Sequence, residues 1–195
     1  MKVVQVNESA PRDACLARLC AEVYGQAAGL TPLVRFAATR RVLFAQEAAR
    51  LLATVDGAGR PQALALLVLD AAGQGMTLTL SCALDGDEEP DDREAPRRAL
   101  IAELASKAPL RVEAEDADAE AFYRDCGITR WFAGRDGWRI GLGARHPAST
   151  LAEAGAPIAV DDAEVLRRFK HDAKGFEEEK ERFVQGLASF PEHLG

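Results

Sequence analysis

Four consecutive segments carry most of the fold information: Met76-Thr-Leu-Thr-Leu-Ser-Cys-Ala-Leu84, the acidic stretch Asp85 to Glu94, Ala95-Pro-Arg-Arg-Ala-Leu-Ile-Ala-Glu-Leu-Ala105, and Leu110-Arg-Val-Glu-Ala114. In the first, Met76, Leu78, Leu80, Cys82 and Leu84 alternate with Thr77, Thr79, Ser81 and Ala83. A period of two predicts a strand with one buried face and one face able to offer hydroxyls. The third segment has its apolar residues Leu100, Ile101, Leu104 and Ala105 at helical spacing, with Pro96 in the first turn where a missing N–H is tolerated. The fourth alternates again and predicts another strand. Strand, acidic loop, helix and strand therefore follow one another.

Upstream, Lys2 to Val6 reads as an opening strand. Ser9-Ala-Pro-Arg-Asp supplies a cap and an early proline for a helix whose face is Leu16, Leu19, Cys20, Val23 and Tyr24. Thr31-Pro32 repeats that signal for a second helix through Leu33, Phe36 and Ala37. Leu51 to Val55, the turn Asp56-Gly57-Ala58-Gly59, and Gln62 to Leu69 predict a hairpin. Ala63 to Leu69 is apolar on both faces, as a strand covered on both sides must be. Downstream, Asp116 or Asp118 caps a short helix that stops at Gly127. Ile128 to Phe132 and Trp138 to Leu142 close the order as a hairpin around Gly134-Arg-Asp-Gly137. The sheet should be mixed and packed on both faces.

Two short motifs give this order a family likeness. Ala121-Phe-Tyr-Arg-Asp-Cys-Gly127-Ile128 is similar to the F-Y-x-x-x-G-F segment of the GNAT superfamily of N-acetyltransferases, with Ile128 in place of Phe. Arg98-Ala-Leu-Ile-Ala-Glu-Leu104 resembles that family's R-A-L-L-x-x-L helix. The resemblance covers residues 1–145 and implies an α/β, GNAT-like (acyl-CoA N-acyltransferase) fold: a mixed central sheet flanked by helices. Residues 146–195 are left as a helical C-terminal extension. It also implies that the strands near Thr77–Leu84 and Leu110–Ala114 splay apart at their C-terminal ends.

By the same resemblance the chain transfers an acyl group from acetyl-CoA to a small-molecule amine. Tyr123 stands where the family places the tyrosine that protonates the departing thiolate. A phenol and an alkyl thiol have neighbouring pKa values, so that transfer is close to balanced. The alternative for Tyr123 is a packed phenol closing its helix against the sheet. Asp85, at the end of the fourth strand, is the candidate base. Leu84, Arg93, Ala95, Arg97 and Arg98 make up the implied cofactor-binding set. Thr79 and Ser81 are either substrate contacts or an ordinary strand face.

The implied phosphate-binding loop departs from the family pattern. In the family, backbone N–H groups at a helix N-terminus cradle the pyrophosphate, and glycines let the anion come close. Here Asp92 stands at the basic position, while Ala95 and Arg97 stand at small ones, with Pro96 between. From Asp85 to Arg98, seven acidic residues face three basic ones. Each close like-charge contact costs on the order of 1 kcal/mol even when solvated. The loop thus predicts weak coenzyme A binding, unless Arg93, Arg97 and Arg98 replace the backbone cradle by charge-assisted hydrogen bonds. The resulting alternative function is a non-catalytic GNAT-fold scaffold.

The whole 195-residue chain carries a net charge of -7, which disfavours nucleic acid and anionic membranes as partners. Cys15, Cys20, Cys82 and Cys126 have neither zinc-site nor disulfide-framework spacing, and Cys82 reads as core. With no secretory pattern and no long apolar run, a cytoplasmic location is the expectation. In the extension, Phe169, Phe176, Phe183 and Phe190 recur every seven residues, with Leu166, Ala173 and Leu187 on the second seam. Gly175 and Gly186 predict a broken helix, and the stripe packs either on its own domain or in a homodimer.

Overall fold

A computed structural model describes residues 1–84 and 93–194. Seven strands form one sheet in the order β1-β2-β3-β4-β5-β7-β6. They are β1 (Lys2–Gln5), β2 (Ala49–Val55), β3 (Pro61–Leu69), β4 (Met76–Ala83), β5 (Leu110–Ala114), β6 (Arg130–Ala133) and β7 (Arg139–Leu142). The helices are α1 (Ser9–Tyr24), α2 (Thr31–Ala38), α3 (Ala95–Lys107), α4 (Ala117–Asp125), α5 (Asp162–His171) and α6 (Ala173–Ala188). The mixed sheet expected from the sequence is present: β4 and β5 run parallel, and the other neighbours are antiparallel.

The element order is the one expected from the sequence, and β4 and β5 open as expected. Their pairing covers Met76 with Leu110 and Thr77 with Arg111, and goes no further along β4. The opening has a local cause. The β3–β4 register shifts between Leu66 and Leu67, which face Leu80 and Leu78, so Thr79 is the extra residue of a β-bulge. Its hydroxyl donates to the carbonyl of Leu66 at 3.1 Å. A bulge bends its strand and adds twist, which turns the end of β4 away from β5.

The bulge also corrects the sequence reading of β4. Leu78 packs with Ala65, Leu67, Leu100 and Ile101 beneath α3, whereas Leu80 and Cys82 pack with Leu64, Leu66, Leu16 and Phe36 beneath α1 and α2. One apolar face was expected; the strand changes face at Thr79. Sheet faces alternate residue by residue, so a single inserted residue inverts everything after it.

Helix starts differ in detail as well. Glu8 and Leu30, not Ser9 and Thr31, are the N-cap residues of α1 and α2, and neither makes a side-chain cap. Asp116 does cap α4, accepting from the Ala119 N–H at 2.8 Å. After Ala38 the second helix widens into a π-helical segment, Thr39–Phe44. Val23, expected in the core, is 39% exposed. The extension folds as two helices, but the break falls at Asp172, whose carboxylate caps α6 by accepting from the Gly175 N–H at 2.8 Å. Both glycines lie inside α6. Gly186 is buried against Ala17, where an added Cβ would sit 3.0 Å from the alanine Cβ.

Candidate functional site

The divergence of β4 and β5 opens a cleft of about 670 Å³. Thr77, Thr79 and Ser81 of β4 line it from one side, Glu113 and Glu115 at the end of β5 from the other. Arg97 of α3 and Tyr123 of α4 stand at one end. Tyr24, Arg35 and Thr39 stand at the other. A parallel sheet edge that separates at strand C-termini leaves such a crevice by construction.

Tyr123 and Arg97 are the two sequence-derived candidates that the fold brings together. Tyr123 is only 9% exposed. Burial pushes its phenol pKa up, while the positive charge and hydrogen bonding of Arg97 pull it back, and burial prevails. The phenol therefore stays protonated and remains an acid. The Arg97 Nε donates to the Ser81 hydroxyl at 2.9 Å and its Nη1 donates to Glu94 Oε2 at 2.8 Å. The same guanidinium lies 4.4 Å from the centre of the Phe122 ring. It is thus held on three sides: by a hydroxyl, a carboxylate and a π face.

The remaining candidates are dispersed. Arg98 pairs with Asp125 at 3.2 Å, and its guanidinium carbon lies 5.0 Å from the centre of the Phe122 ring. Leu84 donates its N–H to the Gln62 carbonyl at 2.8 Å, and its side chain packs on the α1 side of the core. Ala95 is half-buried at the first position of α3, and Arg93 is exposed just before it. Asp85 lies outside the described residues, as does the acidic loop through Asp92.

The start of α3 differs from a glycine-lined phosphate cradle. Pro96 has no N–H, and the Arg98 N–H already bonds the Glu94 carbonyl at 2.8 Å, leaving Ala95 and Arg97 as first-turn donors. Glu94 is the N-cap residue of α3, but its carboxylate makes no cap and pairs with Arg97. A pyrophosphate would meet a guanidinium that is already engaged.

Sequence reasoning missed two parts of this site. Glu113 and Glu115 bring carboxylates into the cleft, and Glu113 is steadied by Arg111 at 2.7 Å. In sequence Glu113 is an outward position of the alternating segment Leu110–Ala114, and Glu115 follows the end of that strand. Pro157 to Val160 form an apolar wall, although nothing local in that stretch marks it. The wall is fixed from afar: Arg111 donates to the Gly155 carbonyl at 2.7 Å, Arg130 donates to the Ala148 carbonyl at 2.7 Å and the His146 carbonyl at 2.9 Å, and the Ile158 N–H bonds Leu69. The four cysteine thiols are buried, with pKa values pushed up to about 12 for Cys15, Cys20 and Cys82 and about 11 for Cys126. They are core groups rather than nucleophiles. Among the described residues no cluster of three or more His, Cys, Asp or Glu could hold a metal, and no helix is long and apolar enough to cross a membrane.

No protein-family model and no curated protein sequence matches the chain. Solved structures similar to it include an aminoglycoside 6′-acetyltransferase type Ii (15% identity, TM-score 0.46, covering 73% of this chain and 97% of that one). Another is the spermidine N-acetyltransferase from Vibrio cholerae in complex with CoA and spermine (11% identity, TM-score 0.44, covering 74% and 96%). Likeness of this degree assigns neither substrate nor activity.

Proposed function

We propose that the chain is an N-acyltransferase that moves an acyl group, an acetyl group in the simplest case, from an acyl-CoA thioester to a small amine. The observation that carries the reading is the buried, protonated Tyr123 beside Arg97 at the opening between β4 and β5. In this scheme the amine nitrogen attacks the thioester carbonyl carbon, the C–S bond breaks, and the sulfur takes the phenolic proton of Tyr123. Glu113 and Glu115 draw in the ammonium form of the acceptor and take one proton from it before attack; the second proton, shed by the nitrogen after attack, restores the Tyr123 phenol through solvent. The donor is gripped through its pantetheine arm in the cleft more than through its phosphates, because the start of α3 offers few free donors.

A second reading, a GNAT-fold scaffold without catalysis, is favoured by the engagement of Arg97 with Ser81, Glu94 and Phe122. One experiment separates the two. Titrate acetyl-CoA and acetyl-pantetheine by calorimetry, then follow thiol release with a panel of amines. The acyltransferase reading expects the two donors to bind within about tenfold of each other, and Tyr123→Phe to lower kcat by roughly 10²–10⁴ with the fold intact, the usual weight of a general acid. Neither donor binding at millimolar concentration, with no thiol release, would leave the scaffold reading.

A further inference from the structure

A second cavity, of about 500 Å³, lies outside the cleft between the start of α1, the π-helical segment and the end of α6. Three arginines line it: Arg12, Arg40 and Arg182. One carboxylate, Asp13, lines it with them, and Ser9 and Ser189 add hydroxyls. We propose that this cavity binds a phosphate-bearing small molecule, independently of the activity assigned to the cleft.

The charge balance is unusual for a chain whose net charge is -7. Three guanidinium groups converge on one space against a single lining carboxyl, Asp13. Burial raises the pKa of Asp13 against the opposing pull of Arg40, Arg12 and Arg182. The counter-charge from behind is Glu179, which is 3% exposed, accepts from Arg40 at 2.5 Å and lies 3.5 Å from Arg41. One carboxylate shared by two arginines leaves positive charge facing the cavity. Arg12 stacks 4.3 Å over the Phe44 ring, which orients its guanidinium without neutralising it. The Nε atoms of Arg12 and Arg40 are buried without a partner, as are Asp13 Oδ1 and Glu179 Oε2.

Backbone geometry adds to the same side. Glu8 provides no side-chain cap for the 16-residue α1, so the positive end of that helix is not quenched there, and Ser9 and Ala10 of its first turn line the cavity. The π-helical widening at Thr39–Phe44 sets Arg40 inward against Glu179 and leaves Arg41 exposed. Gly186 lets α6 pack close on α1, which brings Arg182 to the rim. Guanidinium forks match phosphate oxygens two at a time, so three of them select a multiply charged phosphate over a monocarboxylate. The volume exceeds inorganic phosphate and suits a phosphorylated metabolite.

The test is thermal shift and calorimetry of the full chain with inorganic phosphate, pyrophosphate, and acetate or chloride at matched ionic strength. Pyrophosphate and phosphate should stabilise the protein beyond acetate and chloride. Arg182→Gln and Arg12→Gln should each weaken pyrophosphate binding tenfold or more, while Arg135→Gln, an equal charge change on a distant exposed loop, should not. Arg97→Gln should also keep the response, which separates this site from the cleft. The proposal falls if phosphate acts no better than acetate. It also falls if Arg182→Gln lowers the melting temperature in chloride yet leaves the pyrophosphate response intact, since the guanidinium would then be structural.

Discussion

Burying a phenol beside a guanidinium moves its pKa in opposite directions, and at Tyr123 the larger effect is burial. The raised value means that the acid form persists above the ordinary phenol pKa of about 10, so loss of a Tyr123 proton does not limit turnover at neutral pH. Arg97 is the group holding that rise in check. Removing it by Arg97→Gln takes away a lowering influence, so the phenol should titrate at still higher pH. The chain has two tyrosines, so ultraviolet titration in a Tyr24→Phe background reads Tyr123 alone. A downward shift in Arg97→Gln would show that Arg97 acts on Tyr123 through packing and not through charge. Of this arrangement the sequence disclosed Tyr123 and Arg97 separately, through the Phe-Tyr motif and the helix start. It did not disclose that they meet, because the hydroxyl that turns Arg97 inward belongs to Ser81 on another element.

At the scale of elements, the succession of strands and helices along the chain was legible because the alternating and helical periods are strong from Met76 to Ala114. The change of face in β4 was not, because a bulge leaves the alternation of residue types untouched and appears only against the partner strand. Thr79 is unremarkable in sequence and decisive in register. The closing hairpin holds a comparable hidden constraint. A Cβ at Gly141 in β7 would lie 2.6 Å from a methyl of Ile128, 2.8 Å from one of Val112 and 2.9 Å from the Trp131 ring. Gly141→Ala should therefore overpack the sheet and cost roughly 1–3 kcal/mol, measured as a lower denaturation midpoint at unchanged m-value. Unchanged stability would mean that Trp131 moves aside freely. Because β7 pairs with β5 along Arg111–Ala114, the same variant should disturb the Glu113 side of the cleft.

For the molecule as a whole, the two C-terminal helices complete a core that the preceding chain leaves open. The sheet carries α3 and α4 on one face, with Leu100, Ile101, Tyr123 and Ile128 in that layer. On the other face α1 and α2 cover it, and α5 and α6 lie against those helices. Phe169 is 8% exposed, and Phe176, Phe183 and Phe190 are half-buried against the same cluster. Phe36 of α2 is wholly buried, and its ring meets Phe183 edge to face at 5.4 Å. Phe169 and Phe176 meet likewise at 5.3 Å, across the break at Asp172. The stripe that could have served a partner is thus occupied by the chain's own α1 and α2. Uncovering a buried phenylalanine costs about 1.5–3 kcal/mol, and small domains hold only about 5–15 kcal/mol in total. Ending the chain after Ala163 would expose Phe36 and the outer faces of α1 and α2 and would remove Glu179, the buried partner of Arg40. The truncated protein should be insoluble or self-associated by size-exclusion chromatography, and any soluble fraction should melt well below the full chain. A soluble monomer with an unchanged melting temperature would show that α1, α2 and the sheet already close the core alone, and that the phenylalanine stripe does not contribute to it.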